Sequence, residues 1–113
     1  MTITYENDTR NRDLEPDLFK AAEKNDVETL RSALKAGQSL DRRHQRALGM
    51  TPIHLACIFG SNAFLKAAIE DGEFDPWLRD ANGRVPFDHA WAKNNKEAMS
   101  LLFPLMHPDA PAL

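Results

Sequence analysis

The sequence predicts an all-α solenoid of stacked helix-turn-helix pairs joined by short loop or hairpin fingers. Three observations predict it. The chain matches itself at two nearly equal shifts, each copy carries apolar residues at helical spacing, and one copy opens on a turn–Thr–Pro signature. Shifted 35 residues towards the N-terminus, Pro52–Gly72 lands on Asp17–Gly37; Ala56 meets Ala21, Leu65 meets Leu30, Ile69 meets Leu34 and Gly72 meets Gly37. Shifted 34 residues the other way, it lands on Pro86–Met106; Pro52 meets Pro86, Ala56 meets Ala90, Leu65 meets Met99 and Ile69 meets Phe103. Self-similarity at a fixed period of this length marks a repeat array.

Each copy reads as two short helices. The first copy sets Val27, Leu30 and Leu34 on its second helix, stopped by Gly37. In the middle copy, Thr51 stands at the N-cap and its hydroxyl accepts a free backbone N–H. Pro52 follows at the first helical position, where a missing N–H costs nothing. His54 lies three residues after Thr51, so its ring reaches back in the manner of a capping box. This helix ends near Gly60. A second, over about Ala63–Glu70, carries Leu65, Ala68 and Ile69 at i, i+3, i+4 spacing. Gly72 is expected to stop it in a left-handed conformation. The third copy places Ala98, Met99, Leu102 and Phe103 together and is expected to stop at Pro104. Ala21, Ala56 and Ala90 share one register, where a bulky side chain would push the stack apart.

"GMTPIHLACIFGSNAFLKAAIEDG" resembles an ankyrin repeat, and "DANGRVPFDHAWAKNNKEAMSLLF" looks like a second, degenerate one. "LFKAAEKNDVETLRSALKAG" is similar to the family's N-terminal capping repeat. The resemblance covers residues 17 to 103. The chain departs from the pattern in three places. Val85 replaces the capping threonine and Asp88 the histidine, so that cap network is expected to be absent. Asp88 still favours the helix N-terminus through the dipole. The loop Asp71–Asp80 is about one residue longer than the family norm, with Trp77 at a usually small polar position. The linker Ser39–Gly49 is irregular.

The organisation follows: a flexible polar arm at 1–16, a repeat domain at 17–106 with repeats at about 17–48, 49–82 and 83–106, and an extended proline-containing tail at 107–113. Leu105 and Met106 are placed to cap the open end of the core. The 113 residues suit one domain, and 42% hydrophobic content suits one modest core. Residues 1–17 hold five acids and two bases and so carry the whole net charge of −3. The neutral remainder lacks the footprint of a nucleic-acid binder. No apolar run approaches a membrane span, and the N-terminus has no basic-then-apolar signal pattern. A lone cysteine fits a reducing compartment and a cytoplasmic location.

Four histidines and Cys57 raise a metal site. His54 and Cys57 have tolerable spacing on one helix, but zinc needs three or four ligands and His44, His89 and His107 belong to other copies or the tail. Cap chemistry for His54 and apolar filling for Cys57 are favoured. Ser32, Ser39, Ser61 and Ser100 have no base suggested nearby, and no phosphate loop or nucleophile elbow exists. Asp75, Asp80 and Asp88 read as turn and cap residues. No catalytic residue, metal or cofactor is expected. The bases Arg42, Arg43, His44 and Arg46 crowd the first linker, suiting plain solvation ahead of an acidic surface or phosphate.

The expected function is a non-enzymatic protein–protein interaction module, an adaptor or inhibitor. Stacked repeats present an extended concave face. The resemblance implies that finger tips and the last turn of each first helix point into it: Glu23 and Lys24; Leu48, Met50, Ile58 and Phe59; Asn82, Arg84, Ala92 and Lys93. Ile58, Phe59, Met50, Leu48 and Trp77 are expected to form an apolar patch rimmed by Arg43, Arg46, Arg84 and Lys93, which is how interfaces are built. The competing readings are a Phe59 folded over the next repeat or covered by the N-terminal arm, and a homodimer through the same patch.

Overall fold

The computed structural model describes residues 16–110. The N-terminal arm expected at 1–16 lies outside the described residues except for Pro16, as do residues 111–113 of the tail. The described residues form six helices: α1 (Leu18–Lys24), α2 (Val27–Lys35), α3 (Pro52–Phe59), α4 (Asn62–Asp71), α5 (Pro86–Ala92) and α6 (Lys96–Met106). The first helix of each pair packs on the next first helix, α1 on α3 and α3 on α5; α2, α4 and α6 stack the same way in a second layer. The fold is therefore an all-α repeat stack two helices deep.

The repeat is written in the backbone as well as in the side chains. Asn25, Gly60 and Asn94 all adopt left-handed φ, 57°, 67° and 53°, at the turn within each pair. Only glycine and short polar residues take this conformation cheaply. The next residue in each pair, Asp26, Ser61 or Asn95, begins the second helix. Asp26 accepts the Thr29 N–H at 3.1 Å and Asn95 the Ala98 N–H at 3.1 Å. These turns also tie repeat to repeat. The Asn25 side-chain oxygen accepts the Phe64 N–H at 2.8 Å. The Asn62 and Asn95 amides exchange hydrogen bonds of 3.2 and 2.8 Å.

The core runs between the layers through Leu18, Leu30, Ile53, Phe64, Leu65 and Leu102. Ala21, Ala56 and Ala90 are all buried, as the shared register requires. Gly37 ends α2 in a left-handed turn at φ 84°. Gly72 does not: its φ of −131° is extended backbone. Its role is close approach, because a Cβ there would lie 2.8 Å from Leu40 Cδ1 and 3.2 Å from Leu34 Cδ1. Nor does Pro104 stop the last helix, since α6 continues to Met106. It sits in the final turn, where the forfeited bond is to the exposed Ser100 and water can satisfy that carbonyl. Met106 packs against the core, whereas Leu105 is exposed. His107–Ala110 is a turn closed by a 3.1 Å bond rather than an extended start to the tail.

Candidate partner-binding surface

Two finger loops lead into α3 and α5, and buried polar chemistry fixes both. The capping box at Thr51 is complete. Thr51 Oγ1 accepts the His54 N–H at 3.3 Å, and His54 Nδ1 accepts the Thr51 N–H at 3.1 Å. With Nδ1 accepting, the proton lies on Nε2, which donates to the Arg84 carbonyl at 2.9 Å. One buried ring therefore caps its own helix and holds the next finger. Burial keeps its pKa below the ordinary 6.5.

The third repeat replaces this device with another. Val85 has no acceptor to offer, but Asp88 Oδ2 accepts the Val85 N–H at 3.0 Å, so half of the box survives where none was expected. Asp80, Arg84 and His89 supply the rest. Asp80 Oδ1 accepts from the Asn82 and Arg84 N–H groups at 2.9 and 3.0 Å. Asp80 Oδ2 accepts from His89 Nε2 at 2.8 Å. Burial alone would raise the Asp80 carboxyl, but the Arg84 N–H, the His89 ring and the Asn82 N–H outweigh it and hold it below the ordinary carboxylate range. The His54 and His89 rings meet edge to face, centroids 5.7 Å apart.

The fingers are also joined to each other. The Ala81 N–H donates to the Leu48 carbonyl at 2.7 Å. Arg43 Nη1 donates to the Gly49 carbonyl and to that of Arg79 in the neighbouring finger. Arg43 is thus a brace between fingers and not the free rim cation expected of it. An isolated antiparallel bridge pairs His44 with Met50 inside the first finger.

Met50 also departs from expectation. At 9% exposure it belongs to the core cluster and is no surface anchor. Its backbone pairs with His44 in the finger while its side chain packs in the core. Ile58 is half-buried against the core. Phe59 is 54% exposed and Leu48 52%. Trp77 is 46% exposed, but its ring meets His107 edge-on at 5.4 Å, beside the end of α6. Arg46, Asn82, Arg84 and Lys93 are exposed.

These residues do not converge on one patch. Leu48, Arg46, Asn82 and Arg84 stand at the finger end of the first-helix layer. Phe59 and Lys93 stand at the other end of α3 and α5, about 12 Å away for an eight-residue helix. The candidate surface is a strip along that layer, basic at the fingers and aromatic at the turns. The sequence reading passed over Trp91, which at 71% is the most exposed large apolar side chain on α5. Its register could have flagged it: Cys57 stands 34 residues earlier and Ala22 a further 35, both buried.

The groups considered for chemistry have structural partners. Cys57 is buried and its thiol is pushed up to about 12, which removes the thiolate as a nucleophile or ligand. Both His54 nitrogens are occupied. Among the described residues, no three of His, Cys, Asp and Glu converge to hold a metal ion. No described helix is long and apolar enough to cross a membrane.

A family model for ankyrin repeats, three copies, matches residues 18–111. The chain belongs to the ankyrin-repeat family. Among solved structures it is similar to the ankyrin domain of AnkB from Legionella pneumophila, with a TM-score of 0.66 and 20% identity. That match covers 93% of this chain and 98% of that one. At this identity the likeness shows the ankyrin fold alone. No protein of curated function matches the sequence. Ankyrin repeats are in general protein–protein interaction modules, a non-enzymatic use of the fold.

Proposed function

We propose that this ankyrin domain is an adaptor or inhibitor that seats one protein partner along the first-helix layer, on the concave side that repeat stacking creates. Phe59 is the apolar anchor, Ile58 the half-buried floor beside it, and Leu48 a second contact at the fingers. Arg46, Asn82, Arg84 and Lys93 form the polar rim. The observation that carries this reading is the exposure of Phe59. It caps no core, and its register partners are Lys24 and Lys93, both exposed. Burying its exposed half contributes about 1–2 kcal/mol before association costs. The buried lone thiol suits work in the cytoplasm.

Affinity capture from source cells tests the proposal, comparing wild type with Phe59→Asp and Leu48→Asp at matched thermal stability. Loss of a wild-type prey with both variants supports it. Equal recovery removes the anchors. A concentration-dependent mass that Phe59→Asp abolishes, with no other prey, would move the reading to a homodimer through the same residue.

A further inference from the structure

The two finger tips are chemically lopsided. Residues 42 to 50 and 79 to 84 carry five arginines, Arg42, Arg43, Arg46, Arg79 and Arg84, against one carboxylate, Asp80. That carboxylate is 5% exposed and spends both oxygens on His89 and on finger N–H groups. The acids behind the tips are engaged as well. Asp41 accepts the Asp75 N–H at 2.9 Å and Asp75 the Trp77 N–H at 2.9 Å. The two salt bridges among the described residues are Arg31–Asp71 and His89–Asp80, so none of the five guanidiniums is ion-paired there. Arg43 and Arg79 bond only to backbone carbonyls. Arg42, Arg46 and Arg84 are exposed, with no side-chain hydrogen bond to the described residues. Leu48, 52% exposed, stands on the same finger as Arg42 and Arg46, and its carbonyl accepts the Ala81 N–H of the other finger.

We infer that the finger tips recognise an acidic segment of the partner, one in which Asp or Glu residues flank an apolar side chain. This rests on the partner-binding reading above and names the chemistry that side of the surface selects. Guanidinium forks match carboxylates, and the exposed aliphatic Leu48 on the same finger matches an apolar neighbour. A single-stranded nucleic acid fits less well, because its bases need open aromatic platforms and the one aromatic ring of the tips, His44, is half-buried against Phe19. The braces described above fix the finger backbones that carry the cations, so the ordering cost of binding falls on the arginine side chains and not on the loops.

Fluorescence anisotropy on the full chain tests this, using short synthetic peptides in which a Phe-Leu pair is flanked by glutamates, by lysines or by serines, and a labelled oligothymidine. Preference for the glutamate peptide, weakening about tenfold or more as salt is raised and inverting to the lysine peptide in Arg42→Glu/Arg46→Glu/Arg84→Glu, supports the inference. Equal binding of all three peptides, or of none, overturns it. Oligothymidine bound through the same arginines in preference to the glutamate peptide also overturns it. Serine-peptide binding that is lost in Phe59→Asp and kept in the arginine variant overturns the acidic preference alone and leaves the partner-binding surface standing.

Discussion

The imidazole Nε2 of His54 donates to the main-chain carbonyl of Arg84, 2.9 Å away and 30 residues further along the chain. This bond lets the second repeat position the finger of the third. The same ring takes the Thr51 N–H on its other nitrogen. Replacing His54 with leucine keeps the bulk but strands a buried N–H and a carbonyl. The expected cost is about 2–4 kcal/mol in urea unfolding. Thr51→Ala removes one cap acceptor and costs about 1 kcal/mol. Equal losses from the two variants would mean that the link to Arg84 contributes nothing.

Stability falls on the acid side, and His54 sets where the fall begins. Its folded pKa lies below the ordinary 6.5, chiefly through burial. Below that value the unfolded chain takes up a proton that the folded ring resists. The contribution of the neutral ring is therefore complete above about pH 6.5 and is lost as the pH falls through the lower folded value. Arg43 and His89 face the ring and oppose its charging, while Asp80 favours it less strongly than burial disfavours it. Asp80, held below the ordinary 3.8, adds a second loss only as pH falls beneath that value. Urea midpoints across pH 5 to 7.5 (about the range of histidine titration) should decline in wild type and flatten in His54→Leu. An unchanged slope in the variant refutes the assignment.

Two glycines that look alike in sequence should respond in opposite ways. Gly60 takes a left-handed φ with open space around it, and asparagine already fills the same turn at positions 25 and 94. Gly60→Asn should shift stability by less than about 0.5 kcal/mol. Gly72 has an ordinary φ but no room, and the clashing Leu40 is 1% exposed and cannot swing away. Gly72→Ala should cost about 1–3 kcal/mol. Thermal melts of the two variants decide the comparison.

What could be read from sequence was whatever repeats. Ala21, Ala56 and Ala90 align because each meets the same neighbour, and Thr51 with His54 forms its cap from atoms three residues apart. Failures came where the third dimension breaks the period. Met50 looks like a loop-tip residue, yet it pairs with His44 and packs into the core, a contact six residues back that no helical period encodes. Trp77 meets His107, 30 residues on, through packing that no local pattern encodes. Asp80 reads as a turn acid until His89 is seen to close on it. The correction has a consequence. Met50→Ala should cost about 2–4 kcal/mol as a core truncation, while Phe59→Ala should cost well under 1 kcal/mol. A reversal, read by urea unfolding, would return Met50 to the surface and seal Phe59 within.

Trp91 shows how the last described repeat differs from the one before it. Ala22, Cys57 and Trp91 occupy one register, yet the first two are fully buried and Trp91 is 71% exposed. Phe87 and Met99 repeat the contrast, being only partly buried where Ile53 and Leu65 are sealed. α1 and α3 are each followed by another first helix, whereas no described helix follows α5 and α6. Size is thus restricted at position 57 by the incoming repeat and unrestricted at position 91. Cys57→Leu should overpack the interface between α3 and its neighbours and cost about 1–3 kcal/mol. Trp91→Leu should change stability by less than about 0.5 kcal/mol and remove the red-shifted part of the tryptophan emission, leaving Trp77. A destabilisation by Trp91→Leu as large as that by Cys57→Leu would show that the tryptophan is itself a covered part of the core.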